Sequence, residues 1–112
     1  MTTNEHLAKF DNSEDQKLAT LALSTLTRSG AVQAAALRDI TGRTYVAINV
    51  ESSELSLDAV EAVFVVASAS QISGIEAVVF TGLTTAKVAI IKAHSPQAAI
   101  FHIDASAMVT RA

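Results

Sequence analysis

The 112-residue sequence contains no cysteine, a single proline, four glycines and only 4% aromatic residues. Without cysteine the chain forms no disulfide, gives a metal no thiolate ligand and has no thiol nucleophile. The scarcity of aromatics argues against a surface that stacks nucleic-acid bases. The formal net charge of −3 argues against the basic patch that nucleic-acid-binding proteins carry. We therefore expect no nucleic-acid partner.

Long apolar runs are also missing. The longest central run, residues 62–67, is far shorter than the roughly 20 residues that span a bilayer. The polar N-terminus lacks the apolar segment of a secretory signal. We therefore expect a cytoplasmic protein without a membrane partner. Half of the residues are hydrophobic, which is sufficient for a folded core.

The first half of the sequence predicts a helix followed by a β-hairpin. Residues 1–12 have no periodicity and are predicted to be a flexible N-terminal arm, with a single domain over 13–112. Ser13 and Gln16 fit a capping box, and Gly30 fits a helix C-terminus, which together predict a helix over about 13–29. Two segments rich in strand formers, residues 32–38 and 44–50, then flank a turn at residues 39–42, which predicts a hairpin.

The second half alternates helices and strands. Its predicted elements are a helix over about 57–71, a strand over 75–80, a helix over 84–94 stopped by Pro96, and a strand over 98–103. The first of these helices is apolar on nearly all sides, including Phe64 and Val66, and is expected to be largely buried. Its β-branched residues 63–66 also allow a strand. The order α-β-β-α-β-α-β predicts a three-layer α/β/α fold with a mixed sheet of about four to five strands.

One segment carries a family resemblance. Residues 42–53, Gly42-Arg43-Thr44-Tyr45-Val46-Ala47-Ile48-Asn49-Val50-Glu51-Ser52-Ser53, are similar to the stretch G-R-x-x-x-G-V-N-V-E-N-A of cytidine deaminases. The predicted elements of residues 13–104 follow the same order and spacing as in that family. The chain resembles its short, acidic, actinobacterial members with eroded zinc motifs. The resemblance implies a cytidine deaminase-like fold.

The resemblance also shows where the catalytic residues of the family should stand. Family enzymes hold zinc through one ligand of a C/H-A-E motif, which also supplies a glutamate, and through two cysteines of a P-C-x-x-C motif. Counting forward from Asn49 places Val60 at the ligand position and Ala62 at the glutamate position. Anchoring on the last strand places the cysteine pair near Thr84 and Lys87; anchoring on Ser95-Pro96 instead places it at Gln97 and Ile100. None of these side chains suits a tetrahedral zinc site. We therefore expect no zinc and no other cofactor.

Two further properties follow from the resemblance. In the family, the asparagine and glutamate of N-V-E bind the sugar hydroxyls, which implies ribose contacts for Asn49 and Glu51 and a nucleoside ligand. Their i, i+2 spacing puts both on one face of a strand; the alternative is that they end the strand and cap the following loop.

Family members associate through helices around their active sites, which implies a homodimer or homotetramer. The apolar helix over 57–71 favours the same conclusion.

A metal site without cysteine is a further possibility. His94 closes a predicted helix, and His102 and Asp104 stand two residues apart on or beyond the last strand. Histidine and carboxylate are ordinary zinc ligands. The competing interpretation, which we favour, is a surface histidine near a helix C-terminus, where a cation is stabilised.

Three functional hypotheses result. The leading one is a cytidine deaminase-like protein that has lost its zinc centre and serves as a non-catalytic homo-oligomeric or partner-binding module. The second is a nucleoside or cytidine deaminase-type hydrolase with a rebuilt site near Asn49, Glu51 and Glu61. The third is a nucleoside sensor that binds through Asn49 and Glu51 without turnover. Zinc content distinguishes the second hypothesis, and ligand binding separates the third from the first.

Overall fold

The chain forms a five-stranded mixed sheet with helices on both of its faces. The computed structural model describes residues 10–82 and 85–112. Its elements, in chain order, are α1 (Ser13–Ser29), β1 (Gln33–Asp39), β2 (Thr44–Ile48), β3 (Val50–Glu51), β4 (Ser56–Leu57), α2 (Ala59–Ala69), β5 (Ile75–Gly82), α3 (Ala89–His94), β6 (Ala99–Ile103) and β7 (Val109–Arg111). The strand order of the sheet is β2-β1-β5-β6-β7.

The sheet separates two apolar layers. On one face, Leu18, Ala19 and Ala22 of α1 pack against residues of β1 and β5 that include Ala36 and Val79. On the other face, α2 and α3 cover the alternate residues of the strands; the buried members include Val60, Val63, Ile91, Leu37 and Val78. Residues that alternate along a strand point to opposite faces, so both faces of β1 and β5 can be apolar. This arrangement confirms the predicted three-layer α/β/α fold.

The connections match the predicted hairpin and crossovers. β1 pairs with both β2 and β5 in antiparallel fashion, so β2 and β5 run in the same direction on either side of β1. Helix α2 makes the crossover between them. β5 and β6 are parallel neighbours, joined through α3. The edge strand β7 then pairs antiparallel with β6.

The N-terminal end of α1 differs from the prediction by one residue. Asn12, and not Ser13, caps the helix: its side-chain oxygen accepts hydrogen bonds from Glu14 N (2.7 Å) and Asp15 N (3.3 Å). Gln16 instead accepts a hydrogen bond from the backbone N–H of Phe10, whose ring meets that of Phe101 edge-on at 5.0 Å. Phe10 of the predicted arm therefore packs against the domain, and residues 1–9 of that arm lie outside the described residues. Gly30 ends the helix in the left-handed conformation, as predicted.

Helix α2 is shorter and less buried than predicted. It covers Ala59–Ala69 instead of about 57–71, and residues 63–66 lie within it, so the strand alternative is wrong. Val65 is 53% exposed and Val66 is 41% exposed. The helix is therefore buried through Ala59, Val60, Ala62, Val63 and Ala67, but the predicted burial does not extend to Val65 and Val66.

Helix α3 is also shorter than predicted, and three short strands were not predicted. α3 begins at Ala89 instead of residue 84, because residues 85–87 have no regular structure; Thr84 lies outside the described residues. Strands β3 and β4 form a separate two-stranded ladder, and β7 adds a three-residue strand at the edge of the sheet. No helix in the described part of the chain is long and apolar enough to cross a membrane.

Asp39 organises the turn between β1 and β2. Its Oδ1 accepts hydrogen bonds from Thr41 N (2.9 Å), Thr41 Oγ1 (2.6 Å) and Arg43 N (3.0 Å). Burial acts to raise the pKa of Asp39, but the hydrogen bonds from Thr41 and Arg43 and the charge of Arg43 outweigh it. The pKa of this carboxyl group is therefore lowered from its ordinary value of 3.8.

The stabilisation from Asp39 is expected to depend on pH. A carboxylate with a lowered pKa in the folded state stabilises the protein above its ordinary pKa, and this contribution is lost as the pH falls through the folded-state value. The variant Asp39→Asn should therefore melt below the unsubstituted protein near neutral pH, and the difference should shrink in acid. Thermal melts of both proteins at about pH 7 and about pH 3 test this. An equal difference in melting temperature at both pH values would contradict it.

Candidate functional site

A cleft opens where β2 ends, α2 begins and residues 85–87 pass alongside. Its volume is about 370 Å³, within the usual range for small-molecule sites. The polar side chains that line it include Asn49, Glu51, Asp58, Glu61 and Lys87. The lining residues come from 32–33, 49–61 and 85–87, three parts of the chain that are far apart in sequence.

Asp58 fixes the start of α2 and holds the neighbouring segment. It is the N-cap of the helix and forms a capping box with Glu61: Asp58 Oδ1 accepts from Glu61 N (2.8 Å), and Glu61 Oε1 accepts from Asp58 N (3.0 Å). The second carboxylate oxygen, Oδ2, accepts a hydrogen bond from Lys87 N (2.7 Å). Both oxygens of Asp58 are therefore engaged by backbone N–H groups.

Gln33 makes a second connection between the same two segments. It is fully buried at the start of β1. Its Oε1 accepts a hydrogen bond from Ala59 N in the first turn of α2 (2.7 Å), and its Nε2 donates to the carbonyl oxygen of Thr85 (3.3 Å). Together with Asp58, this side chain ties the start of α2 to residues 85–87. Gln33 was not among the predicted site residues, because its only signal in the sequence is a polar residue at the head of an alanine-rich strand.

Asn49 and Glu51 both line the cleft, but they differ in their hydrogen bonds to the rest of the protein. Asn49 Oδ1 accepts a hydrogen bond from Gln33 N (3.2 Å), and Asn49 N donates to Gln33 O (3.3 Å), so Asn49 continues the β1–β2 ladder. Glu51 is exposed, and its carboxylate accepts a hydrogen bond from Ser56 Oγ at 3.3 Å. The carboxylate of Glu51 is consequently the more available group for a ligand.

The charge in the cleft is mainly negative. Glu51, Asp58 and Glu61 contribute carboxylates, and Lys87 is the cation among the lining residues. The Lys87 ammonium lies 3.9 Å from Glu61 Oε2, and its side chain is 77% exposed. An ion pair this exposed contributes little to stability. Lys87 therefore remains free to approach a ligand.

The positions that the family resemblance assigns to catalysis hold no metal-binding side chains. Val60 is fully buried and Ala62 is 5% exposed, and both pack in the core. Lys87 is exposed at the cleft, and the other position of that pair, Thr84, lies outside the described residues. With the alternative anchor, Gln97 is exposed and Ile100 is buried in β6.

The donor set of the cleft does not fit zinc. Structural and catalytic zinc sites are built from cysteine, histidine and carboxylate ligands in a tetrahedral arrangement. The cleft contains no cysteine or histidine among its described lining residues. Both oxygens of Asp58 and one oxygen of Glu61 already accept backbone hydrogen bonds. No group of three His, Cys, Asp or Glu residues suited to a metal occurs within residues 10–82 and 85–112.

The two histidines considered for a metal site do not form one with Asp104. His94 Nδ1 contacts Ser95 Oγ at 2.8 Å, and its ring lies 5.4 Å from that of Phe64. His102 is buried on β6 with its ring 4.8 Å from that of Phe80. Asp104 accepts hydrogen bonds from Ser106 N and Met108 N in a turn. His102 therefore packs within the fold and Asp104 stabilises a turn, while His94 lies on the surface.

The fold and the cleft together define a class of protein. The β-hairpin leads into Asn49 and Glu51 beside the start of α2, one of the helices that cover the sheet of this three-layer fold. The model of the family described as cytidine deaminase-like matches residues 11–107. The chain therefore belongs to the cytidine deaminase-like family.

Solved structures support the fold assignment. The chain is similar to the crystal structure of cytidine deaminase from Burkholderia pseudomallei, with a TM-score of 0.71 and 17% identity over 87% of this chain and 90% of that one. It is also similar to cytidine deaminase from Mycobacterium leprae, with a TM-score of 0.63 and 17% identity over 86% and 91% of the two chains. No curated protein matches the sequence. At this level of identity the similarity establishes the fold alone.

Proposed function

We propose that this cytidine deaminase-like protein has lost zinc-dependent deamination and acts as a non-catalytic binding module. The observation that carries the proposal is the direct link between the start of α2 and residues 85–87. The family resemblance places zinc between these two segments. Here Asp58 accepts a hydrogen bond from Lys87 N, and Gln33 forms hydrogen bonds with both Ala59 N and Thr85 O. Hydrogen bonds thus supply the connection that a metal would make.

The side chains at the start of α2 support the same proposal. Valine has no lone pair for a metal, and alanine has no carboxylate to transfer a proton. Val60 and Ala62 are also buried in the core, so a cation at either position would lose its hydration without gaining a ligand. Glu61 is not a replacement for the missing glutamate, because its Oε1 closes the capping box and holds the carboxylate at the start of α2.

The experiment is an assay for conversion of cytidine to uridine by the purified protein, with and without a metal chelator. An active cytidine deaminase serves as the positive control. We expect no uridine above the level of the buffer alone. Uridine formation that the chelator abolishes would overturn the proposal and restore a zinc enzyme. Formation that resists the chelator and is lost in Glu61→Gln would equally overturn it, in favour of a rebuilt hydrolytic site.

A nucleoside is the small ligand that we propose for the cleft. Asn49 and Glu51 line it together, and its volume of about 370 Å³ accommodates a molecule of that size. The exposed carboxylate of Glu51 can accept hydrogen bonds from the hydroxyl groups of a sugar. The protein is then a nucleoside-binding member of the family without turnover, and its lack of cysteine is compatible with the reducing cytoplasm.

Thermal shift measurements with cytidine, deoxycytidine, uridine and their monophosphates test nucleoside binding. A ligand at about 100 times its Kd stabilises the folded state by roughly 2.7 kcal/mol, which raises the melting temperature by several degrees. We expect such a shift with at least one nucleoside and its loss in Glu51→Ala. Glu54→Ala, at an exposed glutamate outside the cleft, is the matched control. The absence of a shift with every nucleoside, or a shift that survives in Glu51→Ala, would contradict the proposal.

A further inference from the structure

Four backbone N–H groups around the start of α2 already have hydrogen-bond partners within the protein. Asp58 N donates to Glu61 Oε1 (3.0 Å), and Glu61 N donates to Asp58 Oδ1 (2.8 Å). Ala59 N donates to Gln33 Oε1 (2.7 Å), and Lys87 N donates to Asp58 Oδ2 (2.7 Å). The N-terminus of a helix attracts anions through backbone N–H groups that lack a partner. The four groups named here are therefore not available to an anionic ligand in the cleft.

The carboxylate oxygens of the cleft, in contrast, retain capacity to accept hydrogen bonds. The Glu51 carboxylate is exposed and accepts a hydrogen bond from the hydroxyl group of Ser56 at 3.3 Å. Glu61 uses Oε1 for the capping box, while its Oε2 lies 3.9 Å from the Lys87 ammonium. That distance is too long for a hydrogen bond. Glu51 and Glu61 thus both offer acceptor atoms to a ligand that carries N–H or O–H groups.

The ammonium group of Lys87 shows that a cation fits beside Glu61. It lies within ion-pair distance of Glu61 Oε2, and both residues line the cleft. The Lys87 side chain is 77% exposed, and ion pairs this exposed contribute little to stability. A cationic group of a ligand can therefore take the place beside Glu61, while Lys87 turns into water at little cost.

We propose that the cleft selects a nucleoside with a positively charged amino group over a neutral or anionic nucleoside. The inference rests on the proposed nucleoside ligand and adds the charge that this ligand carries. Among the described lining residues, three carboxylates, Glu51, Asp58 and Glu61, stand against the single ammonium of Lys87. The amino group of the ligand donates to Glu61 Oε2, and the sugar hydroxyl groups donate to Glu51. Hydrogen bonds between ionised groups are roughly twice as strong as those between neutral groups.

The apolar part of the cleft accommodates the base but provides little discrimination. Val32, Leu57 and Ala86 belong to the lining, and Val32 is 57% exposed. None of the described lining residues is aromatic, so the base does not gain the stacking energy that aromatic side chains supply. The charged groups of the cleft therefore determine which nucleoside binds most tightly.

Isothermal titration calorimetry with 5-aminomethyluridine and 5-hydroxymethyluridine tests this selection. The two nucleosides have nearly the same shape, and they differ in carrying an ammonium or a hydroxyl group. We expect the amino nucleoside to bind at least about tenfold more tightly at low ionic strength. The ratio of the two Kd values should fall when the salt concentration is raised to about 1 M, where the Debye length is about 3 Å.

Two substitutions in the cleft test which side chains produce the selection. Glu61→Gln removes the charge, keeps a side-chain oxygen for the capping box and should lower the ratio of Kd values. Lys87→Met removes the competing ammonium and should raise that ratio. Glu54→Gln and Lys92→Met, at exposed positions outside the cleft, are the matched controls and should leave the ratio unchanged. Circular dichroism establishes that all four variants are folded.

The outcomes distinguish the charge selection from the nucleoside ligand on which it rests. Equal affinity for the two nucleosides would overturn the charge selection and leave the proposed nucleoside ligand in place. A ratio that neither Glu61→Gln nor Lys87→Met changes would do the same. Failure of both nucleosides to bind would overturn the nucleoside ligand and the charge selection together.

Discussion

Replacing Arg38 by alanine is expected to lower the free energy of unfolding by about 3 kcal/mol, because breaking a buried ion pair strands the remaining charge. The Arg38 side chain is 5% exposed between α1 and the sheet. Its Nη2 donates to Asp15 Oδ1 at 2.8 Å, and its Nε donates to Glu76 Oε1. Burial acts to lower the pKa of Arg38, but Asp15 and Glu76 outweigh it and raise the pKa, so the guanidinium remains charged.

Urea denaturation of the variant and the unsubstituted protein measures this loss. Arg28→Ala is the control, because Arg28 is exposed and its removal should change the free energy of unfolding by no more than about 0.5 kcal/mol. Arg38→Met combined with Asp15→Leu should recover a large part of the loss, since apolar residues often replace a buried ion pair at little cost. A loss for Arg38→Ala no greater than that of the control would contradict the structural role of the ion pair.

The second large effect is expected for Gln33→Met, which keeps the size of the side chain and removes its amide. Ala59 N would then be buried without a hydrogen-bond partner, and Thr85 O would lose its donor. Leaving one buried polar group unpaired costs about 1–3 kcal/mol. We expect a total of about 2 kcal/mol, because Thr85 is exposed and its carbonyl can turn to water. The same urea denaturation measures this effect.

Gln97→Met is the matched control for Gln33→Met. It makes the same chemical change at an exposed position that follows Pro96. Its effect on the free energy of unfolding should stay within about 0.5 kcal/mol. Equal effects of the two substitutions would show that Gln33 does not connect the start of α2 to residues 85–87.

The order of the large elements could be predicted from the sequence because apolar periodicity, Gly30 and Pro96 mark it. The errors arise where tertiary contacts decide. Helical periodicity extends back through residues 84–88 of the sequence, but Asp58 Oδ2 accepts a hydrogen bond from Lys87 N and holds residues 85–87 out of the helix. Asn12 and Ser13 are almost equally good caps, so sequence alone does not choose between them.

The short strands were missed for a related reason. β3, β4 and β7 have two or three residues, too few for a period to be visible, and pairing with neighbouring strands defines them. At the site, the i, i+2 spacing of Asn49 and Glu51 was sufficient to predict that the two side chains lie near each other, and both line the cleft. The roles of Gln33 and Asp58 as connectors were not predictable, because each depends on residues 85–87 coming close in space.

The zinc content of the purified protein tests the central claim most directly. The protein is exposed to excess zinc, desalted and analysed by mass spectrometry for metal per chain, and its melting temperature is compared with that of chelator-treated protein. A protein whose α2 start is held by Gln33 and Asp58 should retain far less than one zinc per chain and should melt at the same temperature in both states. One zinc per chain, with a melting temperature that falls on chelation, would contradict the account.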